Sequence, residues 1–223
     1  MSDARAAGTN IAFLGANAIY RHIRLTGTPL GPNRLQIDYK SSAGHDPVCH
    51  RDPAAATFDW PDGPDPRPES TLTGGYYQCN GVQADMITAD PNSWLLARTA
   101  LTRGARLLGL IGNEYDRVDL SVPTPRPIEI LFHSPLSCAG RRDYSDVSYY
   151  TTQSGAGVFD AGTSAWICAL GFLGRCAPGV PDGTAHDAIT TITTNLLDAI
   201  SRGPAGRMHP AHDNVGTLYP RRR

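Results

Sequence analysis

Long apolar runs are absent from this 223-residue sequence. No stretch reaches the roughly 18 consecutive apolar residues a membrane-spanning helix needs, which excludes such a helix. Residues 1–8 are small and polar, without the apolar region of a secretory signal, so a cytoplasmic setting is the default expectation. Charge of one sign is missing too. Twenty Lys and Arg stand against 21 Asp and Glu, a formal net charge of −1, which gives no reason to expect nucleic acid or an anionic membrane as a partner. The one basic run, Arg221-Arg222-Arg223, reads as a solvated terminus. The five cysteines (Cys49, Cys79, Cys138, Cys168 and Cys176) lack the close pairs of a zinc site, and their odd number argues against a fully disulfide-paired fold. A phosphate-binding loop, a G-x-S-x-G elbow and an H-E-x-x-H helix are absent, which removes the main support for nucleotide hydrolysis, serine-esterase and zinc-protease chemistry. Gly155-Ala156-Gly157 lacks the third glycine of a dinucleotide loop and is read as a tight turn.

What is present is a chain 40% hydrophobic and 18% charged, enough for the core of one large domain. Residues 10–14 form a short apolar run leading into Gly15-Ala16-Asn17, and residues 18–25 read as the helix that follows. Residues 35–39 alternate as a half-buried strand does. Between 41 and 69 the prolines Pro47, Pro53, Pro61, Pro64, Pro66 and Pro68 exclude helix and central strand, marking a long loop insertion. Strand-like runs return at 107–111, 128–132, 147–150 and 158–159. Two helices close the chain. One begins at Thr163 or Ser164 and carries Trp166, Leu170 and Leu173; the other, 185–201, carries Ile189, Ile192, Leu196, Leu197 and Ile200 on one apolar face, after Thr184-x-x-Asp187 and before Gly203-Pro204. Strands alternating with helices predict an α/β domain over 1–203, followed by an irregular tail, 204–223.

Four segments carry a resemblance: residues 10–21 (NIAFLGANAIYR), 67–74 (RPESTLTG), 110–117 (LIGNEYDR) and 154–166 (SGAGVFDAGTSAW). In order and spacing they resemble the C-terminal domain of the large subunit of the N,N-dimethylformamidase family. The resemblance implies a flavodoxin-like, class I glutamine amidotransferase-like domain with a mostly parallel sheet, its first strands missing because the chain begins late. It implies an iron-dependent hydrolase of small carboxamides, with a small amide as substrate and a small subunit or a second copy as partner. No cysteine stands at the elbow Gly15-Ala16-Asn17, so glutaminase chemistry is not implied.

In that family one iron is held by two tyrosines and a glutamate. By resemblance Tyr20 matches one tyrosine and Glu114 the glutamate, while the second tyrosine falls upstream of Met1. Phenolate and carboxylate are hard oxygen donors suited to ferric iron. Tyr76, Tyr77, Tyr115, Tyr149 and Tyr150 are candidate substitutes among which the sequence does not choose. Asn17, Arg21, Tyr115 and Asp116 flank the two ligands as pocket residues. Alternatives stand beside these assignments. Tyr20 fits a packing tyrosine on a helix, Glu114 a structural ion pair, Arg21 with His22 a solvated helix face, and the chain as a whole a non-catalytic α/β scaffold. His45, Asp46, Cys49 and His50 are ligand-capable but lie in the proline-rich loop, and His209 and His212 read as surface residues of the tail.

Overall fold

A computed structural model describes residues 1–64, 66–171 and 183–220. Leu173 and Cys176 lie outside these.

After a short helix, α1 (Ser2–Ala6), the chain enters β1 (Ile11–Phe13), and two small antiparallel pairs follow. In these, β2 (Arg21–His22) pairs with β5 (Phe58–Asp59), and β3 (Arg24–Thr28) with β4 (Gly31–Ile37). Among its described residues the proline-rich stretch 41–69 holds short 3-10 turns and the two-residue strand β5, with no longer helix or strand. Past α2 (Ser70–Thr73), β6 (Tyr76–Ile87) and β7 (Arg106–Arg117) form a long, bulged antiparallel pair. Next come β8 (Ile128–Cys138) and β9 (Arg141–Thr151), joined by the two-residue turn Ala139-Gly140 with both φ angles positive (49° and 76°), as a tight hairpin demands. The chain continues through β10 (Gly157–Asp160), α3 (Ala165–Ala169), α4 (Gly183–Ile200) and α5 (Val215–Leu218). The main sheet has the order β1-β10-β9-β8; β1 runs parallel to β10 and the other pairs are antiparallel.

This overturns the parallel, flavodoxin-like expectation. Residues 11–13 and 107–111 lie in different sheets, the latter in β7 paired with β6. The cause is visible in the burial. Unbroken apolar runs are the signature of strands covered on both faces, which parallel sheets usually are, but here antiparallel strands are covered on both. Along β9 and β10, Tyr149 and Phe159 enter one core cluster with α3 and α4, whereas Tyr150 and Val158 enter a second with Leu72 and Val215. Residues 18–25 do not form a helix either. Ile19 has φ +52°, which no helix allows, and Arg21 and His22 pair with Asp59 and Phe58 in a short strand, with Arg24 and Leu25 in the next.

Helix α4 is as expected, except that Leu197 points outward at 50% exposure while Ile189, Ile192 and Leu196 are buried. Ile192→Ala should therefore cost about 2–5 kcal/mol and Leu197→Ala under about 0.5 kcal/mol. Urea midpoints of the two variants check this; equal losses would mean that α4 does not face the core as described. A disulfide between Cys79 on β6 and Cys138 on β8 ties the long pair to the main sheet, and Cys49 is a free thiol. Among the described residues no helix is long and apolar enough to cross a membrane.

Candidate functional site

The turn leaving β1 is strained and held from outside. Asn17 (φ +55°) and Ile19 (φ +52°) both adopt left-handed backbone conformations. Asparagine tolerates this, whereas for a β-branched residue it costs about 1–3 kcal/mol. Two groups on β7 hold the turn. The backbone N–H of Asn17 donates to both carboxylate oxygens of Asp116 (3.0 and 3.2 Å), and Asn17 Nδ2 donates to Glu114 Oε1 (3.3 Å). Asn17 Oδ1 is buried without a hydrogen-bond partner.

Side chains alternate along a strand, so Glu114 and Asp116 share one face of β7 and Tyr115 takes the other. The Tyr115 hydroxyl donates to Asp143 (2.7 Å), and Arg117 pairs with the same carboxylate. Tyr115 thus belongs to the core rather than to the Asn17 side. The Tyr20 ring packs edge-on against Tyr77, centroids 5.4 Å apart, and Tyr77, the second residue of β6, donates its backbone N–H to Glu69 Oε1 (2.9 Å). Arg21 lies 5.8 Å from the Tyr20 ring centroid, but its guanidinium is committed to Asp59.

The electrostatics are one-sided. Burial, then the charges of Asp59 and its acidic neighbours, pushes the Tyr20 phenol up to about 12. Burial followed by Glu114 and Asp116 raises Tyr77 as well. Burial raises the carboxyl of Glu69 to about 7, and Asp116 is raised to about 7 by burial, with Glu69 and Glu114 pushing the same way. Asp160 is raised well above the carboxylate range, first by burial and then by Asp116. Its Oδ1 accepts from the Gly162 N–H (3.1 Å), and the Gly162 carbonyl accepts from the Asp116 N–H (3.0 Å).

Of the five substitute tyrosines, three have hydroxyls engaged elsewhere: Tyr115 on Asp143, Tyr149 on the His209 carbonyl and Tyr150 on the Leu72 carbonyl. Tyr77 is the one packed against Tyr20, and after burial the charge of Glu114 acts on it most strongly. Sequence reasoning passed over Glu69 and Asp160 altogether, although both lie in the segments 67–74 and 154–166. For Asp160 the signal is an acid inside the apolar, glycine-flanked run 155–162; Glu69, set among Pro68, Ser70 and Thr71, carries no such signal.

Among the described residues no group of three or more His, Cys, Asp or Glu side chains is placed to hold a metal ion. A metal here would depend on phenol oxygens; Tyr77 links the two candidates, its ring against Tyr20 and its phenol under the charge of Glu114, and tyrosine and glutamate oxygens are hard donors of the kind ferric iron takes. The loop histidines are another matter. Asp46 is buried and doubly bonded to Arg24 (2.8 and 2.9 Å), so it serves as a structural anchor. In the tail, His212 is exposed and His209 is half-buried, stacked on Trp94.

A search of curated proteins returns no match. The model of the family described as N,N-dimethylformamidase beta subunit-like, C-terminal, matches residues 1–182, and the chain belongs to that family.

Proposed function

We propose that this chain carries the active-site region of an iron-dependent hydrolase that cleaves the C–N bond of small carboxamides, with Tyr20 and Glu114 as metal ligands. One observation supports this above others. Segments scattered along the sequence meet through Asn17, Glu69, Glu114, Asp116, Asp160 and Gly162 in a cluster of oxygen donors. A fold that needed only a core would not gather acids there, since each buried carboxylate costs free energy unless a cation or proton accompanies it.

Bound iron supplies Lewis acidity toward an amide carbonyl. The chain's own residues do the rest. Tyr20 and Glu114 hold the ion, Tyr77 offers a second phenol beside them, and Asn17 fixes the Glu114 carboxylate. Glu69 and Asp116, held at about 7, exchange protons in the range where general acid–base catalysis works at neutral pH. The family's name is that of a subunit, and a small subunit or a second copy of this chain is the partner this reading implies.

The test is amine release. The chain, loaded with ferric iron and given N,N-dimethylformamide, should liberate dimethylamine, and Glu114→Gln should reduce the rate by at least about 100-fold, the range typical for removal of a group stabilising transition-state charge. Iron-loaded chain that releases no amine from any small amide would favour a non-catalytic scaffold.

A further inference from the structure

With no residue in common with the Glu114 site, a cavity of about 380 Å³ opens between the segment before β7 and the tail. It is lined by Asp90, Ser93, Trp94, Glu129, His209 and His212, among others, and no Arg or Lys lines it. Glu129 is 1% exposed; its Oε2 accepts the His212 N–H (3.2 Å) and its Oε1 has no partner. Two further buried atoms are unpaired, Ser93 Oγ and Trp94 Nε1. The Trp94 ring is fixed by stacking on His209, centroids 4.1 Å apart, and by an edge contact with Tyr149.

Buried polar groups in native proteins are almost always paired, and an unpaired buried carboxylate is the most costly of them. Three unpaired groups lining one cavity therefore describe a missing partner, and their chemistry defines it. Glu129 Oε1 wants a cationic N–H donor, Ser93 Oγ accepts or donates, and Trp94 Nε1 needs an acceptor. Asp90, whose Oδ1 already accepts from the Asn92 N–H, adds negative charge that excludes anions. A metal ion is disfavoured, because no three His, Cys, Asp or Glu side chains among the described residues are placed to hold one. The volume is at the small end of ligand pockets, which run from about 300 Å³.

We propose that this cavity is a binding site for a small primary ammonium ion that also carries an oxygen acceptor, an amino alcohol in its simplest form. The ammonium sits on Glu129 and Ser93, and the oxygen accepts from the Trp94 indole N–H.

Ethanolamine is the probe, and the indole N–H signals of the full chain in a ¹H–¹⁵N correlation spectrum are the readout. The sequence has three tryptophans; Trp94→Phe assigns the Trp94 signal, while Trp60 and Trp166 serve as internal controls. Ethanolamine should move the Trp94 signal saturably and leave the other two in place. Ethylene glycol, the uncharged analogue, should not. Glu129→Gln, which keeps the bond to His212, should weaken binding by about tenfold or more, the worth of a charge-assisted hydrogen bond. Ser93→Ala gives a second, milder variant, expected to weaken binding less. No saturable movement of Trp94, an equal response to ethylene glycol, or undiminished affinity in Glu129→Gln would each overturn the proposal.

Discussion

Replacing Gly162 with alanine is expected to lower stability by at least about 3 kcal/mol, in the range that marks a specific structural conflict. Gly162 has φ +58°, and a Cβ built there would stand 2.1 Å from the backbone oxygen of Asp146. Backbone cannot swing aside as the end of a flexible side chain can. Two losses add to the clash: left-handed backbone costs alanine about 1 kcal/mol, and a displaced Gly162 would release both the Asp160 carboxylate and the Asp116 N–H. Gly140→Ala is the control. Its φ is +76°, but nothing lies within 4 Å of an added Cβ, so only the conformational cost of about 1 kcal/mol remains. Urea midpoints measure both. Similar losses in the two variants would mean that Gly162 does not approach the β9 backbone as closely as described.

Stability of the metal-free chain should fall as pH rises from about 5 to 8. Glu69 and Asp116 are raised to about 7 in the fold, and Asp160 is raised well above the usual carboxylate range, whereas an unfolded carboxyl titrates near about 4. A carboxyl whose folded value is raised contributes its stability fully below the unfolded value and loses it as pH climbs through the folded one. Each tenfold difference in acidity between the two states is worth about 1.4 kcal/mol. The acids with lowered values do not mask this. Asp119, where burial is overcome by Ser121 and Arg117 to hold the carboxyl at about 2, and Asp85, lowered by Arg106, lose their contribution only as pH falls below about 4. Asp160→Asn removes one titrating group of the cluster while an amide oxygen keeps the Gly162 bond, so this variant should lose less stability between pH 5 and 8 and show a shallower pH profile. A profile that instead rises between pH 5 and 8 would show that the cluster is not buried as described.

How much of this was legible in the sequence differs from element to element. Every apolar run read as a strand is one, because hydrophobic residues bounded by glycine and proline have few other uses. Their pairing was not legible. Burial on both faces, which Tyr149 and Tyr150 show by entering different clusters, looks identical in sequence whether the neighbours are parallel or antiparallel. Strand β6 escaped notice because its middle, with Gln78, Asn80, Gly81 and Gln83, is polar and bulged, and its order comes from pairing with β7. At the site, Glu114 came from the family resemblance alone, with Asp116 as its neighbour, and strand alternation explains why both reach the Asn17 turn while Tyr115 does not. Tyr77 was one of five because its distinction is spatial: only the fold brings its ring against Tyr20.

Whether Tyr20 and Glu114 hold ferric iron is tested most directly by the visible spectrum of the iron-loaded chain. Tyrosinate bound to ferric iron absorbs visible light, and resonance Raman excitation within that band selects phenolate vibrations. The chain loaded with ferric iron should be coloured and show those vibrations. Tyr20→Phe should remove most of the intensity, and Glu114→Gln should lower iron retention after gel filtration. A chain that stays colourless with iron, or a band that Tyr20→Phe leaves unchanged, would contradict the metal-site account.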